Sequence, residues 1–278
     1  MSTTAIKTTI ERPPAPPRGW PRERIIGNVL MGLWIAFGLG LVFYLFLAWN
    51  PELFDRYAGN YLRGLGVTLS LVVISVVAGA VLSIPVAYGR MSDNRLVSAL
   101  AYAYVYFFRG TPLLAQTYLV YYGLGSFRPE LDAVGLWWFF REAWYCAIFA
   151  FALNTAAYQA EILRGAIDSI PRGQWEGAEA LGLSKLQTVR KIILPQALIV
   201  ALRPYGNEII LMIKGSAIVA IITVYDLMGE TRRAYARSFD FQTYIWAALL
   251  YLAVVEALRN ATEWAERRLT RHLTYLHD

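Results

Sequence analysis

Residues Asp168 to Gln196 read DSIPRGQWEGAEALGLSKLQTVRKIILPQ. Pro171 suits the first turn of a helix, where a missing N–H costs nothing, and Gly182 suits its end. Gly177, Ala178 and Ala180 leave the surface of that helix open to close approach. Ser184-Lys-Leu-Gln187 has the S-x-x-Q form of a capping box, which starts a second short helix. Leu186, Val189 and Ile193 give this second helix an apolar stripe, and Pro195 marks its far boundary. The stretch is therefore expected to be a helix–turn–helix with a small-residue face, suited to being gripped by another protein.

On both sides lie apolar runs long enough to cross a bilayer, which takes about 20 residues for ~30 Å of hydrocarbon. Six spans are expected, at roughly 26–49, 61–89, 97–124, 143–166, 196–224 and 242–262. With 57% hydrophobic and 17% charged residues in 278, the chain reads as an all-α, polytopic membrane helical bundle. Six spans put both termini on one side. If Met1–Arg24 is inside, sixteen Lys and Arg fall inside, among them Arg90, Arg95, Arg172, Lys185, Arg190, Lys191 and Arg267. Seven fall outside: Arg56, Arg63, Arg128, Arg141, Arg232, Arg233 and Arg237. Cations concentrate on the cytoplasmic side of membrane proteins, so the stretch 168–196 and both termini are expected there. Arg232–Arg237 dissents from the bias and suggests a surface helix rather than a free loop.

The segment ERPPAPPRGWPRER, Glu11–Arg24, is too rich in proline and charge to fold alone, so 1–24 is expected to be a disordered cytoplasmic tail. The span after it, 25–50, is too long for a signal-peptide core and lacks a small-residue cleavage site, so it reads as a retained anchor. The main membrane domain is expected over 57–268 and a cytoplasmic tail over 269–278.

Ionisable groups at membrane depth cost several kcal/mol, about 2.5–3.5 by insertion scales, so each needs a reason. Asn154, Tyr158 and Glu161 form one stripe along the fourth span. Asn207, Glu208 and Lys214 lie in the fifth, and Arg109 precedes Gly110-Thr111-Pro112, which should kink the third. Two arrangements fit. In one, Asn154, Tyr158, Glu161, Asn207 and Glu208 line a polar chamber whose carboxylates favour a cationic substrate. Alternatively, Glu161 and Glu208 pair with Arg109, Arg203 or Lys214 and hold helices together. Trp137, Trp138, Trp144, Phe139 and Phe140 read as an aromatic belt at the outer interface.

Several chemistries are excluded. Cys146 is the sole cysteine, so disulfide scaffolds and cysteine metal sites are not expected. His272 and His277 lie in the tail, leaving no Ser–His or Cys–His pair at membrane depth and no intramembrane catalytic residues. There is no G-x-x-x-x-G-K-[ST] loop, so ATP binding is not expected on this chain.

The motifs together resemble the membrane subunits of ATP-binding-cassette importers, in the polar amino acid branch. That family's signature is E-A-A, three residues, G, nine residues, I-x-L-P. Here it reads Glu176-Gly177-Ala178, Gly182, Ile192, Leu194, Pro195, with glycine replacing the first alanine. Val67-Thr68-Leu69, Phe108 to Leu113, Asn154 to Tyr158 with Glu161, Asn207-Glu208 and the run Thr223–Arg268 extend the likeness over about 220 residues. The branch it is most similar to holds the histidine/lysine/arginine/ornithine permease and its opine-uptake relatives.

The resemblance implies a five-helix importer core, to which the first span adds an extra helix, in a bacterial cytoplasmic membrane. It implies a second permease subunit (a copy or a sister), a cytoplasmic ATPase dimer that binds the ATP, and a periplasmic or extracellular substrate-binding protein. Gln174, Glu176, Gly177, Ala178 and Gly182 would form the coupling helix seated on the ATPase, and a polar amino acid or opine would move inward by alternating access. The chain would be a transport subunit and not an enzyme, with no metal. A gradient-driven secondary transporter of small cationic solutes is the alternative, but it has no need of a gripped helix–turn–helix.

Overall fold

The computed structural model describes residues 22–47 and 49–271. Most of the tail expected over 1–24, and all but the first three residues of that expected over 269–278, lie outside them. Two units are distinguished, 1–51 and 52–278. The first contains α1, Arg22–Leu47, whose residues are all accessible. At 26 residues it is about 39 Å long and apolar enough to cross a bilayer.

The second unit starts along α2 (Pro51–Arg90) and continues through α3 (Arg95–Gly110), α4 (Leu113–Tyr118), α5 (Arg128–Ala133), α6 (Trp137–Phe140) and α7 (Ala143–Asp168). It closes with α8 (Arg172–Ala180), α9 (Lys185–Thr188), α10 (Leu194–Gly215), α11 (Leu227–Ser238) and α12 (Gln242–Thr270). No strand occurs among the described residues.

α7 is the central rod: 61% of its apolar window is buried, against 6% for α12. Its buried side is lined by Ala147, Ala150, Ala156, Ala157 and Ala160, small enough for close helix approach. α2 answers with its own stripe, in which Gly64, Thr68, Ser75, Gly79, Ser83 and Ala87 recur at intervals of four or seven residues. At Gly79 a Cβ would collide with Thr155 Cγ2 and lie 3.2 Å from the Ala152 carbonyl, so glycine suits this packing. Gln159 Nε2 ties the pair by donating to Val76 O at 3.1 Å.

Among the described residues, five helices are long and apolar enough to cross a membrane. The expected third span is a broken one, because α3 stops at Gly110 and α4 resumes at Leu113. Thr111 is extended, with φ −114° and ψ 148°, as the following Pro112 requires. Carbonyls freed by such a break must find donors when no water is at hand. Gln116 Nε2 donates to Thr111 O at 3.1 Å and to Phe108 O at 2.9 Å, and Asn154 Nδ2 donates to Phe108 O at 3.0 Å.

Pro195 does not bound the second helix of the stretch 168–196, contrary to the sequence expectation. α9 runs through a π-helical turn, Val189–Ile193, straight into α10, giving one helical rod from Lys185 to Ile222. The wide turn absorbs one extra residue just before the proline, with Leu194 N donating five residues back to Val189 O. The rod ends in a 3₁₀ segment, Ser216–Ile222, capped by Thr223 in the left-handed region at φ 66°. The dissenting arginines do lie on a helix, α11, where Arg232, Arg233 and Arg237 are exposed.

Candidate functional site

α8, the turn at Gly182 and α9 form the hairpin expected from the motif. Gly182 has φ +71°, and the turn closes with Gly182 N donating to Glu179 O at 2.9 Å and Leu183 N to Ala178 O at 3.1 Å. This is the paired-bond helix ending that favours glycine at the left-handed position. Ser184 and Gln187 make both halves of the capping box, which starts α9.

The five residues expected to couple do not share one face. Gln174, Glu176, Gly177 and Gly182 are exposed, and a Cβ on Gly177 would meet nothing within 4 Å. Ala178 is 2% exposed, so it packs under α8 rather than outward. Beside the turn stand two exposed leucines, of which the sequence reading did not single out Leu181. Leu181 is 79% exposed and Leu186 75% exposed, so the apolar stripe expected through Leu186, Val189 and Ile193 is buried at Ile193 but open at Leu186. The available signal was an apolar residue immediately before the breaking glycine.

The five residues expected around one chamber occupy four settings. Asn154 is buried and committed to the break between α3 and α4, through Phe108 O and Gln116 Oε1, each at 3.0 Å. Glu208 is buried between α10 and α7, where one carboxylate oxygen accepts from Thr155 Oγ1 at 2.9 Å. No Lys or Arg lies within ion-pair distance of it among the described residues. Asn207 faces the other way, into a cleft of about 590 Å³ between α10 and α12 with Arg203, Thr262 and Glu263.

Tyr158 and Glu161 stay together. Glu161 accepts from Arg90 Nε at 2.9 Å and Arg164 Nη2 at 2.9 Å, while Arg109 Nη1 stands off at 3.9 Å. Arg109 carries its guanidinium carbon 5.1 Å from the Tyr158 ring centroid. Two clefts of about 380 and 390 Å³ share Arg109, Tyr158 and Glu161, one towards α3 and one towards α10. Of the alternative pairings, Glu161 does bind cations, whereas Arg203 pairs with Glu266 at 2.7 Å. Glu256 pairs along its own helix with Arg259 at 2.6 Å.

Comparison with known proteins gives a consistent result. Residues 75–271 match the family described as binding-protein-dependent transport system inner membrane component. The nopaline transport system permease protein NocM of Agrobacterium fabrum is 44% identical over 207 residues, 74% of this chain and 86% of that protein. The histidine/lysine/arginine/ornithine transport system permease protein HisM of Escherichia coli is 38% identical over 226 residues, 81% and 94% of the two chains. Among solved structures, an amino acid ABC transporter crystallised with histidines superposes with TM-score 0.68 at 32% identity, covering 77% of this chain and 96% of that one. The methionine transporter MetNI, at 22% identity and TM-score 0.65, shares the fold. Members of this family work with an ATPase and a substrate-binding protein, as transport components and not enzymes. The chain belongs to the binding-protein-dependent transport system inner membrane components, and is a membrane-spanning permease subunit of an ATP-binding-cassette importer.

Proposed function

We propose that this permease imports a basic amino acid or an opine, by alternating access between outward and inward states. The observation that carries the substrate class is the agreement among relatives: permeases for nopaline, for octopine, for arginine and for histidine/lysine/arginine/ornithine, each 38–44% identical over at least 73% of the chain. Glu208, a buried carboxylate with no Lys or Arg within ion-pair distance among the described residues, supports a cationic group on the substrate. Tyr158 and Glu161 border the two clefts, and Asn154 holds the broken helix beside them. Asn207 would serve the separate groove along α12.

The α8–α9 hairpin takes the ATPase on its exposed side. Gln174, Glu176 and Gly177 offer the open surface, Ala178 anchors α8 to the bundle, and Gly182 sets the turn. Because α9 is continuous with α10 through the π-helical turn, a push on the hairpin reaches Ile222 along one rod. That rod passes Glu208, so force applied at one end alters the site. The hairpin and both termini face the cytoplasm of a bacterial cell, as the cation bias supports, and the pathway closes with a second permease subunit.

The test is competition for uptake by the complete complex, with its ATPase and binding protein, in proteoliposomes. Arginine, lysine, ornithine, nopaline and octopine are expected to compete with one another, while leucine and glutamate do not. Uptake restricted to neutral or acidic compounds would reject the substrate class.

A further inference from the structure

The cluster around Glu161 carries more positive than negative charge. Arg90, Arg109 and Arg164 face Glu161 and Asp168, and the two anions are already engaged. Glu161 accepts from Arg90 and Arg164, and Asp168 accepts from Arg164 at 2.6 Å. Arg90 is further held over the Tyr102 ring at 4.9 Å. The excess cation is Arg109. Its nearest carboxylate oxygen is at 3.9 Å, beyond hydrogen-bond reach, and among the described residues its guanidinium donates no hydrogen bond.

A guanidinium at the end of α3 whose five donors make no hydrogen bond among the described residues is free to bind an anion. The surroundings point its edge at open space. Stacking on Tyr158 fixes the plane of the group, and 44% of the side chain remains accessible. Both clefts open onto it, and each lies within the ~300–1,000 Å³ typical of small-molecule sites. Tyr102, Tyr106 and Tyr158 line the first cleft with hydroxyl-bearing rings around the cation. A planar fork held by one face matches a carboxylate, which it can bind through two parallel hydrogen bonds.

We propose that Arg109 is the anchor for the carboxylate of the transported amino acid or opine, seated where the two clefts meet above Tyr158. This rests on the reading of the chain as an amino acid or opine importer. It assigns the two ends of a substrate to different residues: the carboxylate to Arg109 and the cationic group to Glu208. Glu161 then positions the cluster without itself binding the cargo. The carboxylate is the one group common to all amino acids, so Arg109 would set the class of cargo and leave side-chain choice to other residues.

The test uses the purified permease–ATPase complex without binding protein, so the receptor's own preferences do not intervene. Affinities for arginine and argininamide, which lacks the carboxylate charge, are measured on the wild-type complex, on Arg109→Gln and on Arg109→Lys. Wild type is expected to prefer arginine by about tenfold or more, the scale of a charge-assisted hydrogen bond. Arg109→Gln should bind the two alike, and Arg109→Lys should keep part of the preference, having the charge but not the fork. The wild-type ratio needs no variant to fold. Equal wild-type affinities, no binding of either compound, or a preference unchanged in Arg109→Gln would each overturn the proposal. So would phospholipid co-purifying with wild type but not with Arg109→Gln while the arginine preference persists, since the anion is then a lipid phosphate. ATP-dependent uptake by the complete complex is scored separately, so a failed carboxylate site leaves the importer reading standing or falling on its own.

Discussion

Replacing Gly182 by alanine isolates the geometry of the coupling turn. A Cβ there would meet nothing within 4 Å, so no clash contributes and the whole effect comes from φ +71°. Holding an L-residue in the left-handed region costs about 1–2 kcal/mol. That is about a 5- to 30-fold change in the ratio of closed to open turn. The energy falls on the two bonds that end α8, Gly182 N to Glu179 O and Leu183 N to Ala178 O. Asparagine visits this region at lower cost, so Gly182→Asn should recover much of what Gly182→Ala loses. The assay is titration of the ATPase onto the permease reconstituted in nanodiscs, with ATP hydrolysis stimulated by loaded binding protein as second readout. Weakening of up to about 30-fold is expected for alanine, with asparagine between alanine and wild type. Alanine binding as tightly as wild type, or asparagine weaker than alanine, would refute the argument from turn geometry.

Gly79→Ala should lower the thermal stability of the purified complex through collision with Thr155 Cγ2, by the ~1–3 kcal/mol of an overpacked core; a gain in melting temperature would contradict the close contact. Asn154→Ala strips one donor from Phe108 O and leaves Gln116 Oε1 unpaired, which should cost about 1–3 kcal/mol, while Asn154→Gln, one methylene longer, should not restore it. Measured as uptake, Glu208→Gln should weaken transport of cationic substrates more than neutral ones, whereas Glu161→Gln, which loosens Arg90 and Arg164, should weaken both alike.

The bundle and its hairpin are readable in the chain because they depend on local rules. Gly182 and the Ser184–Gln187 box declare a helix end and a helix start, and the structure has both. Gly110-Thr111-Pro112 declares a break, since a residue before proline avoids the helical region, and α3 does stop there. Pro195 misleads for a definite reason: a π-helical turn just upstream lets a proline sit early in a continuing helix, and no local residue pattern announces that turn. The membrane site was harder to read. Periodicity put Asn154, Tyr158 and Glu161 on one stripe, yet the neighbours of each decide its role, and those lie 38 to 71 residues away in Gln116 and Arg90. Asn207 and Glu208 are adjacent yet about 100° apart around α10, so one borders the cleft beside α12 and the other meets Thr155 on α7. Arg109 is visible as a charge in a span, but that it makes no hydrogen bond among the described residues needs coordinates.

Force entering at α8 and travelling along the rod from Lys185 to Ile222 is the heart of the account. The most direct test is uptake of labelled arginine into proteoliposomes holding the permease complex, with the binding protein on one side and ATP on the other. Accumulation is predicted only when the ATPase, ATP and binding protein are all present, and it should persist after proton and sodium gradients are collapsed. Accumulation by the permease alone, driven by an imposed ion gradient and indifferent to ATP, would contradict it.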